Sequence, residues 1–183
     1  MAKKYRKWIC KRRLLAKIFY GKSGRDLWRD VFTYEIQQRV KSHGVGLRVN
    51  APCEMNGNTI LGKYCNFNGM KIVGSGMCKI GDYFHSGEQC LILTENHNYE
   101  GTEIPYDSTY IPKNVIIGDF VWLGSRVTIL PGTEIGEGAI IQAGSVVHGK
   151  IPPYAIAGGN PAVVFKYRDK EHFQKLKKEK KFH

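Results

Sequence analysis

The sequence predicts a mainly β protein built on a parallel β-helix, and three regularities between Ile117 and Pro152 predict it. The stretch divides into six consecutive groups of six: IGDFVW, LGSRVT, ILPGTE, IGEGAI, IQAGSV and VHGKIP. The first position is always a branched aliphatic residue: Ile117, Leu123, Ile129, Ile135, Ile141 and Val147. The fifth is small in all but the last: Val121, Val127, Thr133, Ala139, Ser145 and Ile151. A period of six fits neither an amphipathic helix nor an alternating strand, and it is a signature of parallel β-helices.

Each group of six is expected to supply a short strand and a corner, so that three groups close one triangular coil. The first-position side chains point inward and stack between coils, and the fifth position also points inward, where room is limited. Glycines fall at or near the corners, where freedom of φ and close backbone approach matter: Gly118, Gly124, Gly136 and Gly144. Because no coil buries its hydrophobic face alone, neighbouring coils must stack.

Over the whole chain the sequence predicts three segments, the second of which contains this stretch. Residues 1–45 form a basic helical segment, in which 22–40 continues as helix although FTYEI alternates and fits a strand equally well. Residues 46–165 form the β-helix, with one extra residue at Lys79 and a protruding loop over 93–115. Residues 166–183 form a short basic helix that docks through Phe173 and Leu176. Long loops within compact domains are commonly functional.

Four cysteines recur about every two groups of six, at Cys53, Cys65, Cys78 and Cys90. All but Cys78 are assigned to fifth positions. We therefore interpret them as small core residues rather than a disulfide framework or a metal site. Reducing, cytoplasmic surroundings suit them.

The net charge of +12 is carried by the ends of the chain. Residues 1–25 contribute +10, residues 166–183 contribute +5, and the segment between them is −3. A nucleic-acid partner is not expected, because such proteins carry their positive charge on the folded surface. Residues 1–20 combine this charge with one apolar helical face. They fit peripheral contact with the inner membrane face, or a helix packed on the β-helix or a neighbouring subunit. Neither a spanning segment of about 20 apolar residues nor a signal peptide is visible.

The segments VWLGSRVTILPGTEIGEGAIIQAGSVV and PPYAIAGGNPAVVFK resemble the hexapeptide-repeat acyltransferases. The resemblance covers about residues 49–166. It is greatest to the sugar and polysaccharide O-acetyltransferases related to the maltose, galactoside and xenobiotic acetyltransferases. It implies left-handed coiling, acetyl-CoA as the donor, no metal, and a homotrimer with active sites between neighbouring subunits. The expected reaction is O-acetylation of a sugar in surface polysaccharide or lipopolysaccharide biosynthesis.

The resemblance also implies a histidine in the protruding loop, and His97 in TENHNYE occupies that place. An imidazole can take the proton of an acceptor hydroxyl and return it to the CoA sulfur. An isolated loop histidine would instead make an ordinary hydrogen bond. Spacing leaves the carboxylate partner of His97 open among four residues: Glu88, Glu95, Glu100 and Asp107.

On the acceptor side, Asn68 resembles a polar residue that contacts the acceptor in sugar acetyltransferases, and Tyr99 lies in the His97 loop. His85 either lines the acceptor cleft or caps a coil. Trp122 points outward, towards a subunit interface or the acceptor. On the donor side, backbone along a coil edge is expected to pair with the pantetheine amides, which favours small residues at Gly124, Ser125, Ala143 and Ser145. Lys166 and Arg168 could meet the CoA phosphates or remain solvated.

Two other classes of protein share the predicted fold. A carbonic-anhydrase-like zinc enzyme needs three histidine ligands, and the six histidines here include no closely spaced pair: His43, His85, His97, His148, His172 and His183. A non-catalytic scaffold would have no need for the histidine-bearing loop. Within catalysis, the alternative is N-acetylation of an amino sugar or antibiotic, since an amine acceptor also needs a base.

Overall fold

The computed structural model describes residues 24–183, in which short strands lie between two helices. The helices are α1 (Gly24–Gln37) and α2 (Lys170–Lys178). The strands are β1 (Ser42–His43), β2 (Arg48–Ala51), β3 (Glu54–Met55), β4 (Thr59–Leu61), β5 (Asn66–Val73), β6 (Cys78–Ile80), β7 (His85–Leu93), β8 (Glu95–His97), β9 (Tyr110–Pro112), β10 (Val115–Ile117), β11 (Trp122–Leu123), β12 (Thr128–Ile129), β13 (Glu134–Ile135), β14 (Ile140–Ile141), β15 (Val146–Val147), β16 (Lys150–Ile151), β17 (Ala155–Gly159) and β18 (Ala162–Tyr167).

The strands stack in parallel into the three faces of a left-handed β-helix. Face A contains β1, β4, β6, β10, β13 and β16. Face B contains β2, the first halves of β5 and β7, β11, β14 and β17. Face C contains β3, the second halves of β5 and β7, β12 and β15. The chain passes from A to B to C in each coil, and we name the corners between faces the A/B, B/C and C/A edges.

Both predicted inward positions are buried throughout the repeat. The six first-position residues are 0–2% exposed and the six fifth-position residues are 0–5% exposed, so this part of the prediction is confirmed. Ile151, the one large fifth-position residue, pairs in register with the first-position residue Ile135. It follows Val147 by four positions, two fewer than the six of the repeat. The last corner is therefore short, and Ile151 occupies a first-position slot, which explains its size.

The cysteines are core residues, and Cys78 belongs with the other three. It pairs with Thr59 and Val115, the fifth-position residues of face A in the neighbouring coils. Burial raises the pKa of both the Cys65 and Cys78 thiols to about 12, so these thiols stay protonated and unreactive at neutral pH. All four cysteines among residues 24–183 are free.

The irregularity predicted at Lys79 lies at two corners instead. Lys79 follows the repeat, because it sits between inward-facing Cys78 and Ile80. The C/A corner before Cys78 is two residues longer than the repeat requires, and the B/C corner between Phe67 and Met70 is one residue shorter. A register shift between Asn66 and Asn68 marks the shortened corner. A cavity lies beside this corner and is lined by Asn68 and Gly69.

Helix α1 covers the first coil. Ile36 is 2% exposed in the core, and the Val49 N–H donates to the Thr33 hydroxyl at 3.0 Å. The ambiguous segment FTYEI lies within this helix. The basic segment 1–20, for which a membrane contact is predicted, lies outside the described residues. Of the two helices in residues 24–183, neither is long and apolar enough to cross a membrane.

Aromatic rings line the A/B edge and receive the C-terminal helix. Tyr83 stacks on Tyr64 at 4.9 Å and on Phe120 at 5.0 Å between ring centroids. The next coil has Gly138 at this corner, with φ of +67°, and a Cβ there would meet the ring of Phe173. Phe173 of α2 therefore fills the place that Gly138 leaves vacant, packing edge-on against Phe120 at 5.8 Å.

Candidate active site

Consecutive coils approach each other closely along the B/C edge, where sequence analysis placed the donor. A Cβ built on Gly124 would lie 2.5 Å from the backbone nitrogen of Ala143 in the next coil. One on Gly87 would likewise meet the backbone of Ser125. Gly124 and Ser125 are half-buried and Ala143 is exposed. These small residues therefore leave a strip of the backbone partly uncovered at this edge, beside the Arg126 side chain, which donates to the Gln89 side-chain oxygen at 3.1 Å.

A polar recess of about 900 Å³ opens beside the shortened corner of the same edge. Its polar lining residues are Arg25, Asn50, Asn68, Lys71, Glu88 and Gln89. The Asn50 amide donates to the side-chain oxygens of Asn66 at 2.7 Å and Asn68 at 3.0 Å. The Asn68 amide in turn donates to the Ser86 carbonyl at 2.6 Å. These bonds fix the Asn68 side chain, and the recess offers donors and acceptors to a polyhydroxylated molecule.

The recess adjoins an aromatic groove of about 560 Å³ on face B, and Asn68 lines both. His85 pairs in register with Trp122, and both side chains line the groove. Burial, followed by the charge of His183, lowers the pKa of His85. The structure therefore brings together three of the four residues predicted for the acceptor.

His97 lies on a projecting hairpin formed by β8 and β9, which leaves the prism at the C/A edge. Its exposed ring stacks on Tyr106 at 3.8 Å and Tyr110 at 4.6 Å. These contacts orient the imidazole without burying it. Tyr99 lies at the tip of the hairpin and is 70% exposed. Within one chain, neither His97 nor Tyr99 lines the recess or the groove.

The four candidate carboxylates differ in what they contact. Asp107 closes the hairpin loop by accepting from the backbone N–H groups of Thr109 and Thr102. The Thr109 hydroxyl, followed by these two N–H groups, lowers the pKa of Asp107. Glu95 accepts from the Ser75 N–H at 2.7 Å, and its pKa is lowered by the Ser75 hydroxyl, then by this N–H, with a smaller contribution from the charge of His97.

Glu88 lines the recess, and Glu100 is exposed. Among the four, Glu95 is the carboxylate whose pKa is lowered by the charge of His97.

Two of the predicted donor-binding residues have structural roles instead. Ser145 is fully buried, where its hydroxyl donates to the Gln142 carbonyl at 2.7 Å and accepts from the Gly159 N–H at 3.2 Å. The Ser145 side chain is therefore unavailable to a ligand, and the donor contact predicted along its backbone stays a prediction. Arg168 donates to the Gly138 carbonyl at 3.3 Å, and its guanidinium lies 4.8 Å from the Phe173 ring centroid.

Partial burial lowers the pKa of Arg168, and its contacts fasten α2 to the prism. Lys166 is exposed on β18.

Sequence reasoning missed several residues of these cavities. In the recess they are Arg25, Asn50 and Gln89, and in the groove Tyr83, Phe120, Phe182 and His183. The outward position shared by Asn66, His85 and Trp122 in the repeat could have indicated the groove. No sequence signal places the last residues of the chain there. Among residues 24–183, no group of three or more His, Cys, Asp or Glu side chains is arranged to hold a metal ion.

The fold and this edge define the chain as a β-helix protein of the hexapeptide-repeat class. The family model described as bacterial transferase hexapeptide (six repeats) matches residues 114–149. The chain therefore belongs to the hexapeptide-repeat transferase family.

Individual relatives agree with this assignment. WbbJ of Escherichia coli (strain K12) is named for O-acetyl transfer in lipopolysaccharide biosynthesis. It is 33% identical over an alignment of 145 residues that covers 67% of this chain and 66% of WbbJ. A chloramphenicol acetyltransferase of Klebsiella aerogenes is 49% identical over 112 residues, covering 53% of this chain and 51% of the relative. The chain spans less than two thirds of the length of the curated relatives it matches.

A solved structure of a galactoside acetyltransferase in complex with coenzyme A superposes on 90% of this chain and 84% of its own, with a TM-score of 0.68 and 24% identity. At that level of identity the similarity concerns the fold.

Proposed function

We propose that the chain is an acetyl-CoA-dependent O-acetyltransferase that acetylates a sugar hydroxyl. One observation carries the proposal: the open backbone strip along the B/C edge leads directly into the polar recess at Asn68 and Glu88. The strip suits the amides of a pantetheine arm, and the recess suits a sugar. The names of the relatives, which include an O-acetyl transferase and a galactoside acetyltransferase bound to coenzyme A, support the same reaction.

The reaction needs a base, and His97 is proposed for that role. Its imidazole takes the proton of the acceptor hydroxyl as the oxygen attacks the thioester carbonyl carbon. The C–S bond then breaks, and the imidazolium returns the proton to the departing sulfur. The Gly124 N–H already donates to the Ile141 carbonyl at 2.8 Å. We therefore propose the neighbouring Ser125 N–H as the donor that stabilises the oxyanion of the tetrahedral intermediate, and such a donor contributes about 10²–10³ in rate.

The site is proposed to form between subunits of a homotrimer. Within one chain the His97 hairpin leaves the C/A edge, whereas the recess opens on the B/C edge. A trimer around a threefold axis places one edge of each subunit against a different edge of its neighbour. The hairpin of one subunit can then bring His97 to the recess of the next.

Mixed trimers test both the catalytic role and the shared site. His97→Ala is expected to lose about 10²–10⁴ in turnover with little change in affinity for CoA. Asn68→Ala is expected to raise the KM for the acceptor. When the two variants are unfolded together and refolded as random trimers, roughly a quarter of the sites should combine an intact His97 with an intact Asn68. Activity should recover accordingly.

The outcomes separate the alternatives. Recovery on mixing supports a shared site, whereas unchanged low activity places both residues in one subunit. Activity of His97→Ala near that of the unmodified chain removes His97 from the mechanism. The assay follows CoA release with a panel of free sugars, lipid-linked oligosaccharides and nucleotide sugars, and includes chloramphenicol. If only amine acceptors are acetylated, the proposed activity is N-acetylation instead of O-acetylation.

The biological setting is proposed to be surface polysaccharide or lipopolysaccharide synthesis, at the cytoplasmic side of the membrane. WbbJ, named for that pathway, supports this setting. The basic segment 1–20 is proposed to hold the enzyme near anionic lipid, where each Lys or Arg contributes about 1 kcal/mol. A variant lacking residues 1–20 should lose sedimentation with anionic vesicles at low salt but retain activity on small acceptors. If the protein with residues 1–20 present does not sediment with such vesicles, the membrane contact is refuted.

A further inference from the structure

The C-terminal residues build one wall of the aromatic groove on face B. After α2, the Lys181 N–H donates to the Leu176 carbonyl at 3.0 Å, and the chain turns back towards the prism. Phe182 packs on Tyr83 at 4.5 Å and Phe120 at 5.2 Å between ring centroids, and His183 lies 5.9 Å from His85. The groove is thus enclosed between strand residues of face B and this tail.

Flat rings dominate the lining of the groove. Trp122 is 54% exposed and Phe182 is 37% exposed, so both retain free ring surface in the described chain. Tyr83, Phe120 and the two imidazoles line the groove beside them. Its volume of about 560 Å³ falls within the range of about 300–1,000 Å³ typical of small-molecule sites. The groove is therefore shaped for a planar ring.

The charge of the lining is positive. It includes Arg168, Lys177 and Lys181, whereas none of the described lining residues is a carboxylate. Arg168 and Lys177 already hold α2 in place, Lys177 through its ion pair with Glu137. Lys181 pairs with Glu179 at 2.8 Å while 66% of its side chain remains exposed. Such a surface pair contributes little and can be exchanged for an anionic ligand.

We propose that this groove binds the nucleotide portion of a nucleotide-linked sugar, with the base against Trp122 and Phe182 and the phosphates near Lys181. The sugar then extends past Asn68, which lines both cavities, into the recess where acetylation is proposed. The inference rests on the proposed function and specifies its acceptor. A long lipid carrier fits less well, because a closed set of rings and cations offers no continuous apolar channel.

Calorimetric titration of the full chain with uridine diphosphate, without acetyl-CoA, tests the proposal. Uridine diphosphate should bind more tightly than uridine, which lacks the phosphates, and than pyrophosphate, which lacks the ring. Binding should weaken with salt, because the phosphate contact is electrostatic. It should also persist when the protein is saturated with CoA, since Gly87 is the one strip residue among the described groove lining.

Variants locate the bound nucleotide. Trp122→Ala and Phe182→Ala should each weaken binding about fivefold or more, since this is the smallest effect expected from the loss of one base–ring stack. Phe165→Ala removes a ring that is 57% exposed on β18, outside the groove, and should leave binding unchanged. Lys181→Ala should reduce the dependence on salt, whereas Lys180→Ala, one residue away and outside the lining, should not.

Several results would overturn the proposal. They are an absence of binding at millimolar uridine diphosphate, equal binding of pyrophosphate, displacement by CoA, or equal effects of Phe182→Ala and Phe165→Ala. Tighter binding of geranyl diphosphate would assign the groove to a lipid carrier instead. Because no acetyl transfer is involved, this test is independent of the proposed reaction. Acetylation of free sugars without competition from the nucleotide would retain the function and refute the groove.

Discussion

Adding one methyl group at Gly124 tests the reasoning about the B/C edge. In Gly124→Ala, the new Cβ would lie 2.5 Å from the backbone nitrogen of Ala143 and 2.9 Å from its Cα. Real Cβ atoms are not found so near backbone atoms, and backbone cannot rotate away as a side chain can. The two coils must therefore move apart locally. Overpacking of this kind costs about 1–3 kcal/mol.

Gly57→Ala is the matched control, because its Cβ would meet only the Arg39 carbonyl, at 3.9 Å. Neither Gly57 nor Gly124 has positive φ, so the backbone accepts alanine at both. With a compatible backbone, Gly→Ala stabilises by about 0.4–1 kcal/mol through the unfolded state. Because this gain applies to both variants, they should differ by the overpacking cost alone, roughly 1–3 kcal/mol in the free energy of unfolding.

Denaturant unfolding measures this difference as a shift in midpoint at unchanged slope. Calorimetric titration with CoA then measures the effect on the proposed donor strip. Gly124→Ala should weaken CoA binding and Gly57→Ala should not. Equal stability of the two variants would refute the close approach of the coils, and unchanged CoA affinity in Gly124→Ala would place the donor elsewhere.

Three further substitutions test the packing and the groove. Phe173→Ala removes the one buried residue of α2. Because so short a helix does not persist alone, hydrogen exchange over 170–178 should become fast. The unfolding midpoint of the prism should change little. Ser145→Ala should cost about 1 kcal/mol through its lost hydrogen bonds yet leave CoA affinity unchanged, since the side chain is buried; a large loss of affinity would restore Ser145 to the donor site. His183→Ala removes one charge and part of the burial that lower the pKa of His85, so NMR titration should show that pKa rising. A group whose pKa is lowered in the folded state binds more protons when unfolded, so the stability of the fold decreases as the pH drops below the ordinary pKa of histidine. His183→Ala should make this decrease smaller. An unchanged titration of His85 would contradict the contact between His85 and His183.

Much of the fold could be predicted because the repeat constrains each residue separately. Each inward position in a narrow prism accepts side chains of one size. The aliphatic first positions and the small fifth positions from Ile117 to Val147 therefore indicate the coil directly. The same rule marked Ile151 as an exception, and its register with Ile135 explains it. Periodicity could not locate the corners near Asn68 and Cys78, because one shortened and one lengthened corner together look like a single extra residue at Lys79.

The candidate site was predictable only where its residues belong to the repeat. Trp122 was predicted from its outward position in the repeat and Asn68 from the resemblance to sugar acetyltransferases, while His85, at the end of a group of six, was left between the acceptor cleft and a coil cap. Ser145 and Arg168 were assigned to the donor from residue type. In the structure the Ser145 side chain is buried and hydrogen-bonded, and the Arg168 side chain contacts Gly138 and Phe173. For Ser145, the repeat had already indicated an inward side chain.

The sequence by itself determined the coil, its inward residues, the interruption that carries His97 and the family to which the chain belongs. All of these follow from local rules that repeat along the chain. Only the tertiary structure decided that the His97 hairpin and the recess lie on different edges, and that Phe182 and His183 wall the groove. Those relations join residues far apart in sequence, and the number of residues in each corner sets them. A single residue gained or lost at a corner moves an edge without changing the pattern that identifies the fold.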